Sequence, residues 1–67
     1  MEIIKKLKGM KNNSIEYFDM TEEGGVEVRY IHEVWFVWEV PRFCGLPFLV
    51  GHFFDFHATE SCIAGLI

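Results

Sequence analysis

Residues 26–40 read Val-Glu-Val-Arg-Tyr-Ile-His-Glu-Val-Trp-Phe-Val-Trp-Glu-Val, and this stretch decides the fold. Apart from His32, every even-numbered position of the stretch is apolar or aromatic, without a break in the alternation. A two-residue period of this kind predicts a β-strand with one buried face. The stretch is therefore predicted to be the core strand or strand pair. The even positions are Val26, Val28, Tyr30, His32, Val34, Phe36, Trp38 and Val40.

The same stretch is much longer than one ordinary strand. It has 15 residues, whereas a typical strand has about 5–6 residues. We therefore expect a bend, a bulge or a break near His32–Glu33. Because the parity is the same on both sides of that point, the pattern favours one continuous bent strand.

The flanking segments predict two hairpins. Residues 15–20 are rich in strand-forming residues, and residues 21–25 end in two glycines suited to a hairpin turn. Residues 41–47 contain two prolines and a glycine and are predicted to form a loop. Residues 48–54 then resume the sheet beside the second half of the central stretch.

The two ends of the chain favour short helices. Ile3, Ile4 and Leu7 share a helical face opposite the lysines, so residues 2–9 are predicted to be a short amphipathic helix, with a strand as the alternative. Residues 55–67 are predicted to form a second helix, whose apolar face comprises Ala58, Cys62, Ile63 and Leu66. The predicted fold is one α+β domain over residues 1–67. It has a small antiparallel sheet of three to four strands and a C-terminal helix packed on one face.

Length and composition predict apolar surface left outside the core. The chain has 67 residues, of which 51% are hydrophobic and 16% aromatic. A domain of this size buries only about 60% of the surface of its unfolded chain. We therefore expect a protein partner or a second copy to cover part of the remainder.

Charge is distributed unevenly along the chain. The net charge is −4, but residues 1–13 carry four lysines against one acid, and the other 54 residues carry two arginines against nine acids. An acidic body disfavours direct nucleic-acid binding, although the basic N-terminal arm could touch phosphate. A basic protein partner fits the body better.

The sequence predicts a cytoplasmic protein without a membrane span. Met1-Glu2 leads directly into Ile-Ile-Lys-Lys, with no apolar leader segment after it. The longest uncharged run, residues 43–54, has 12 residues and contains Pro47, which is short of the 18 or more needed for a membrane-spanning helix. Cys44 and Cys62 are expected to be free thiols, with a disulfide between them as the alternative.

No motif indicates a cofactor or a catalytic site. Cys44, His52, His57 and Cys62 have the spacing C-x7-H-x4-H-x4-C, which lacks the close ligand pair usual in zinc sites. No nucleophile, base and orienting acid form a recognisable set, and no glycine-rich phosphate loop is present. We expect a non-enzymatic protein without cofactor or metal. A metal- or thiol-dependent module remains a minor alternative.

The odd-numbered face of residues 26–40 is the predicted partner-binding surface. It would place Trp35 among carboxylates, an arrangement in which the aromatic ring anchors binding and the charges steer a partner. The alternative is that a helix covers this face and Trp35 belongs to the core. The predicted site comprises Glu27, Ile31, Glu33, Trp35, Val37 and Glu39, joined by Phe43 from the proline-rich loop.

Two functions from different classes follow. In size, acidity and predicted layout the chain resembles small phage-encoded inhibitors, anti-CRISPR proteins among them, although it shares no motif with them. This resemblance implies an anti-defence inhibitor that occupies a basic, nucleic-acid-handling protein by presenting carboxylates in place of phosphates. The alternative is a structural module that forms homo-oligomers through its aromatic sheet face.

Overall fold

Four consecutive segments form an antiparallel sheet in the strand order β1-β2-β3-β4. The computed structural model describes residues 3–22, 24–41 and 45–67, without the Met20 side chain. The strands are β1 (Ser14–Thr21), β2 (Gly24–Ile31), β3 (Val34–Pro41) and β4 (Phe48–Phe53), and the helices are α1 (Ile3–Lys8) and α2 (Phe56–Leu66). The predicted α+β class, with a four-stranded sheet and a helix at each end, is confirmed.

The central stretch is a hairpin rather than one bent strand. The chain breaks at His32–Glu33, where a break was expected, but it reverses direction there, so the prediction of a continuous strand is wrong. Both turn residues have positive φ, 49° at His32 and 66° at Glu33, as a two-residue type I′ turn requires. Asn12 braces the turn, since its Oδ1 accepts a hydrogen bond of 2.7 Å from the His32 backbone N–H.

This turn changes which residues share a face. Ile31 lies opposite Val34 in the β2–β3 ladder, and Val28 lies opposite Val37. Residues directly opposite in an antiparallel pair point to the same side, so the buried face uses even positions in β2 and odd positions in β3. The predicted even-numbered face therefore holds for Val26 and Val28 but not for residues 34–40.

Both helices pack on one face of the sheet and form a single core with it. The core of buried apolar side chains comprises Ile3, Leu7, Met10, Phe18, Val26, Val28, Trp35, Val37 and Ile63. Helix α1 contributes Ile3 and Leu7, which are four residues apart and therefore on the same side. Its end is marked by the Gly9 N–H, which bonds to the carbonyls of Lys5 and Lys6. The helical prediction for this segment, rather than a strand, is confirmed.

Helix α2 begins at a well-formed N-cap. The Asp55 Oδ1 accepts a 3.0 Å hydrogen bond from the His57 N–H, and the Thr59 hydroxyl donates to the Asp55 carbonyl at 2.9 Å. This bond lets Thr59 enter the core with its polar group satisfied. Thr59 and Ile63 are the buried residues of the helix, whereas Ala58, predicted to face inward, is exposed.

The β2–β3 turn predicts an unusual stabilising substitution. A non-glycine residue in the left-handed region costs roughly 1–2 kcal/mol, and glycine removes that cost while adding about 0.5–1 kcal/mol of unfolded-chain entropy. We expect Glu33→Gly to raise the free energy of unfolding by about 0.5–1 kcal/mol in urea denaturation. Glu33→Ala is the control, because alanine retains the strain. Equal stability of the two variants would contradict this account of the turn.

Candidate protein-binding site

The second face of the sheet carries no helix in the part of the chain that the structure describes. We call it the open face. Side-chain alternation and strand register assign it these residues: Ile15, Tyr17, Glu27, Arg29, Ile31, Val34, Phe36, Trp38, Leu49 and His52. Most are apolar or aromatic. Ile15, Tyr17 and Leu49 are exposed, while Phe36 and Trp38 are half-buried between neighbouring strands.

An ion pair lies at the centre of the open face. The Arg29 Nε donates to the Glu27 Oε2 at 2.7 Å, and Glu27 is only 7% exposed. Tyr17 and Trp38 lie opposite Glu27 on the two adjacent strands. The Arg29 guanidinium is also 5.7 Å from the centroid of the Trp38 ring, within cation–π range.

The apolar neighbours of this ion pair extend across all four strands. Ile15 and Phe36 lie opposite Arg29, one on each side. The Phe36 ring in turn lies 5.9 Å from the ring of His52 in β4, measured between centroids. The face is thus an apolar surface with a neutralised charge pair at its centre, the reverse of the predicted aromatic centre ringed by carboxylates.

The predicted site residues do not share a surface. Glu27 and Ile31 lie on the open face, Glu33 lies at the tip of the β2–β3 turn, and Phe43 lies outside the described residues. Trp35, Val37 and Glu39 lie on the helix-covered face, because the turn reverses their parity.

Trp35 is part of the core. It is 8% exposed, and its ring lies 4.6 Å from that of Tyr30 and 6.5 Å from that of Phe56 in α2, measured between centroids. The structure thus agrees with the alternative in which a helix covers this residue. The position that it was expected to occupy on an accessible surface is taken by Trp38, which faces the open side.

Two residues of β1 were missed as surface candidates. Ile15 and Tyr17 are exposed on the open face, while Phe18 is fully buried. The available signal was the sequence Ile-Glu-Tyr, in which two apolar residues flank Glu16. The irregularity after Phe18, where the β1–β2 register shifts, hides the period in the rest of the strand.

The described residues form no cluster of side chains suited to binding a metal ion. Within residues 3–22, 24–41 and 45–67, no three side chains of His, Cys, Asp or Glu are placed to share a metal ion. Cys62 is half-buried in α2, and burial raises the pKa of its thiol. Cys44 lies outside the described residues. No helix in the described segments is long and apolar enough to cross a membrane.

A cavity on the helix side has mixed charge. Its volume is about 340 Å³, and it lies between α1 and β1, with Lys5, Lys6, Lys11, Ser14 and Glu16 among its lining residues. The Ser14 Oγ accepts a hydrogen bond from the Lys11 N–H at 3.1 Å. Its described lining contains no histidine or cysteine, so these residues offer no nucleophile with an imidazole base.

Comparison with known protein families, curated proteins and solved structures finds no match for this chain. The functional interpretation therefore depends on the geometry of its own residues.

The central ion pair predicts a specific pattern of stability. Arg29→Met would leave the Glu27 carboxylate buried without its cation, which we expect to lower the free energy of unfolding by about 1–2 kcal/mol after allowing for the exposure of Arg29. Adding Glu27→Gln should recover part of that loss, because the buried charge is removed. A double-mutant cycle by urea denaturation measures the coupling. Strictly additive effects would show that the pair contributes no interaction energy.

The raised pKa of Cys62 predicts slow alkylation. Thiolate is the reactive species, so Cys62 should react more slowly with iodoacetamide at pH 8 than an unfolded control peptide, and its rate should keep rising above the pH at which the peptide levels off. Peptide mapping by mass spectrometry separates Cys62 from Cys44. A Cys62 rate equal to the peptide's would contradict the effect of burial.

Proposed function

We propose that the protein is a non-enzymatic protein-binding module and that the open face is its binding surface. One observation carries the proposal: an apolar sheet face spanning four strands is left uncovered by both helices. Large exposed apolar patches of this kind are characteristic of interaction sites. The Glu27–Arg29 pair allows this face to contact an apolar partner surface, because its two charges already compensate each other.

The chemistry of the open face favours a protein over a nucleic acid. A nucleic-acid surface needs cations for phosphate, but the only lysines of the described residues lie in α1 or in the segment that follows it. Two of them also lie over aromatic rings of the helix side, Lys6 over Phe18 at 5.2 Å and Lys8 over Phe56 at 4.9 Å, to the ring centroids. The open face instead offers Tyr17, Phe36 and Trp38, the residue types that anchor protein interfaces.

A second candidate function is the acidic inhibitor of a basic, nucleic-acid-handling protein. The observation that favours it is the β2–β3 turn, which holds the exposed carboxylate of Glu33 on a braced tip beyond the sheet. Asp19, near the opposite end of the sheet, is also exposed. In this candidate the carboxylates steer a cationic partner toward the open face. Glu27 cannot contribute such steering, because Arg29 neutralises it. An anti-CRISPR-like role, acting in the cytoplasm, belongs to this candidate.

The first test needs no known partner. Uncharged dyes such as Nile red fluoresce on exposed apolar clusters, so we expect folded wild-type protein to enhance Nile red fluorescence. The double variant Ile15→Lys, Tyr17→Lys should lower this enhancement severalfold, because it charges two exposed positions of the open face. Ala64→Lys, on the exposed side of α2, is the control for a lysine outside the open face and should leave the enhancement unchanged. Circular dichroism verifies that each variant is folded.

Partner capture is the second test. Immobilised wild-type protein is incubated with an extract of its own cells and should retain a partner. The Ala64→Lys variant should retain the same partner, and the open-face double variant should not. Equal retention by all three would contradict binding through the open face. Binding that weakens steeply with salt and is lost in Glu33→Lys would favour the inhibitor candidate over a purely apolar partner.

A further inference from the structure

The two edge strands of the sheet differ in how they are protected. Edge strands present unpaired backbone groups, and natural proteins guard them with charges, bulges or prolines. On β1 the Lys6 Nζ donates to the carbonyl of Tyr17 at 3.4 Å, so a cation lies against this strand. The same strand carries Glu16 and Asp19, and its ladder with β2 is interrupted between Phe18 and Thr21.

The other edge, β4, lacks most of these protections. Its sequence is Phe-Leu-Val-Gly-His-Phe, which contains no proline and no Asp, Glu, Lys or Arg. Phe48 is 56% exposed and Val50 38% exposed. Its single irregularity is the register shift opposite Val37 and Trp38. The residue that follows the strand, Phe54, is 75% exposed.

We propose that β4 pairs with β4 of a second copy of this chain, in antiparallel orientation, and joins two sheets into one of eight strands. The proposal does not depend on the function assigned to the open face, because it uses the edge of the sheet rather than that face. Backbone hydrogen bonds would supply the attraction, as in other cases where a strand is added to a sheet edge.

The lack of Asp, Glu, Lys and Arg on β4 favours a second copy of this chain as the pairing strand. A cationic peptide finds no carboxylate on β4 to attract it, and an anionic peptide finds no lysine or arginine. Two copies of β4 bring no carboxylates, lysines or arginines opposite each other in any register, since the strand contains none. The net charge of −4 on each chain acts at longer range, where salt screens it.

Antiparallel pairing also covers the exposed aromatic residues at both ends of β4. The Phe48 end of one copy would lie beside the Phe54 end of the other, so each copy would shield apolar side chains that the monomer leaves in water. The same two-fold arrangement gives a closed dimer rather than a fibre, because each edge is used once and the β1 edges remain guarded.

The test compares two variants, each with two lysine substitutions, one on edge strand β4 and the other on edge strand β1. Wild-type protein should sediment at twice the 7.9 kDa of one chain, and added salt should strengthen dimerisation. Phe48→Lys with Val50→Lys should weaken dimerisation at least tenfold, because charged side chains then replace apolar ones that the second copy would cover. Ile15→Lys with Tyr17→Lys, on the guarded edge β1 at positions that are 45% and 50% exposed, should leave the dimer intact. Circular dichroism verifies that both variants are folded.

Amide hydrogen exchange provides a readout that does not depend on any variant. In wild-type protein the β4 amides should gain protection as concentration rises, while the β1 amides should not. A monomer at all concentrations would overturn the proposal, as would a dimer without added β4 protection. Loss of the dimer only in the β1 variant would show instead that copies meet through the open face. In every case the Nile red and capture results still report separately on partner binding.

Discussion

The two-residue turn at His32–Glu33 is the constraint on which the other features depend. By pairing Ile31 with Val34, it places Val28 opposite Val37 and Tyr30 opposite Trp35. The residues that face the helices are therefore even-numbered in β2 and odd-numbered in β3. A one-residue change in this register would exchange the two faces of β3 and bring Phe36 and Trp38 to the helices. The backbone strain at the turn, which Asn12 helps to hold, is thus linked to the composition of both faces.

The sequence allowed the elements to be predicted better than the faces. Strand periodicity, the glycine and proline positions and the apolar spacing in α1 were sufficient for the fold class. The faces depend on whether residues 32–33 form a bulge or a reversal, and neither His nor Glu is a usual residue for a type I′ turn. Trp35 was therefore grouped with Glu27 and Ile31, which lie on the opposite face, and Ile15 and Tyr17 were overlooked. Similarly, Thr59 gave no apolar signal, because its burial depends on the hydrogen bond to Asp55.

A single layer of helices limits how much apolar surface this chain can enclose. Helices α1 and α2 occupy one side of the sheet, and the described residues include no third element for the other. In the central charge pair the Arg29 side chain stays exposed to water while that of Glu27 is shielded, so the pair is tolerated on an uncovered face. The two edges of the sheet are also unequal, because a lysine lies against β1 whereas β4 and the residue after it expose Phe48 and Phe54.

Helices α1 and α2 are the first and last elements of the chain, and they pack against each other on the same side of the sheet. Any polypeptide joined to either end therefore emerges from the helical layer, behind the open face. A fluorescent protein, an affinity tag or a further natural domain could be attached there without crossing the sheet surface.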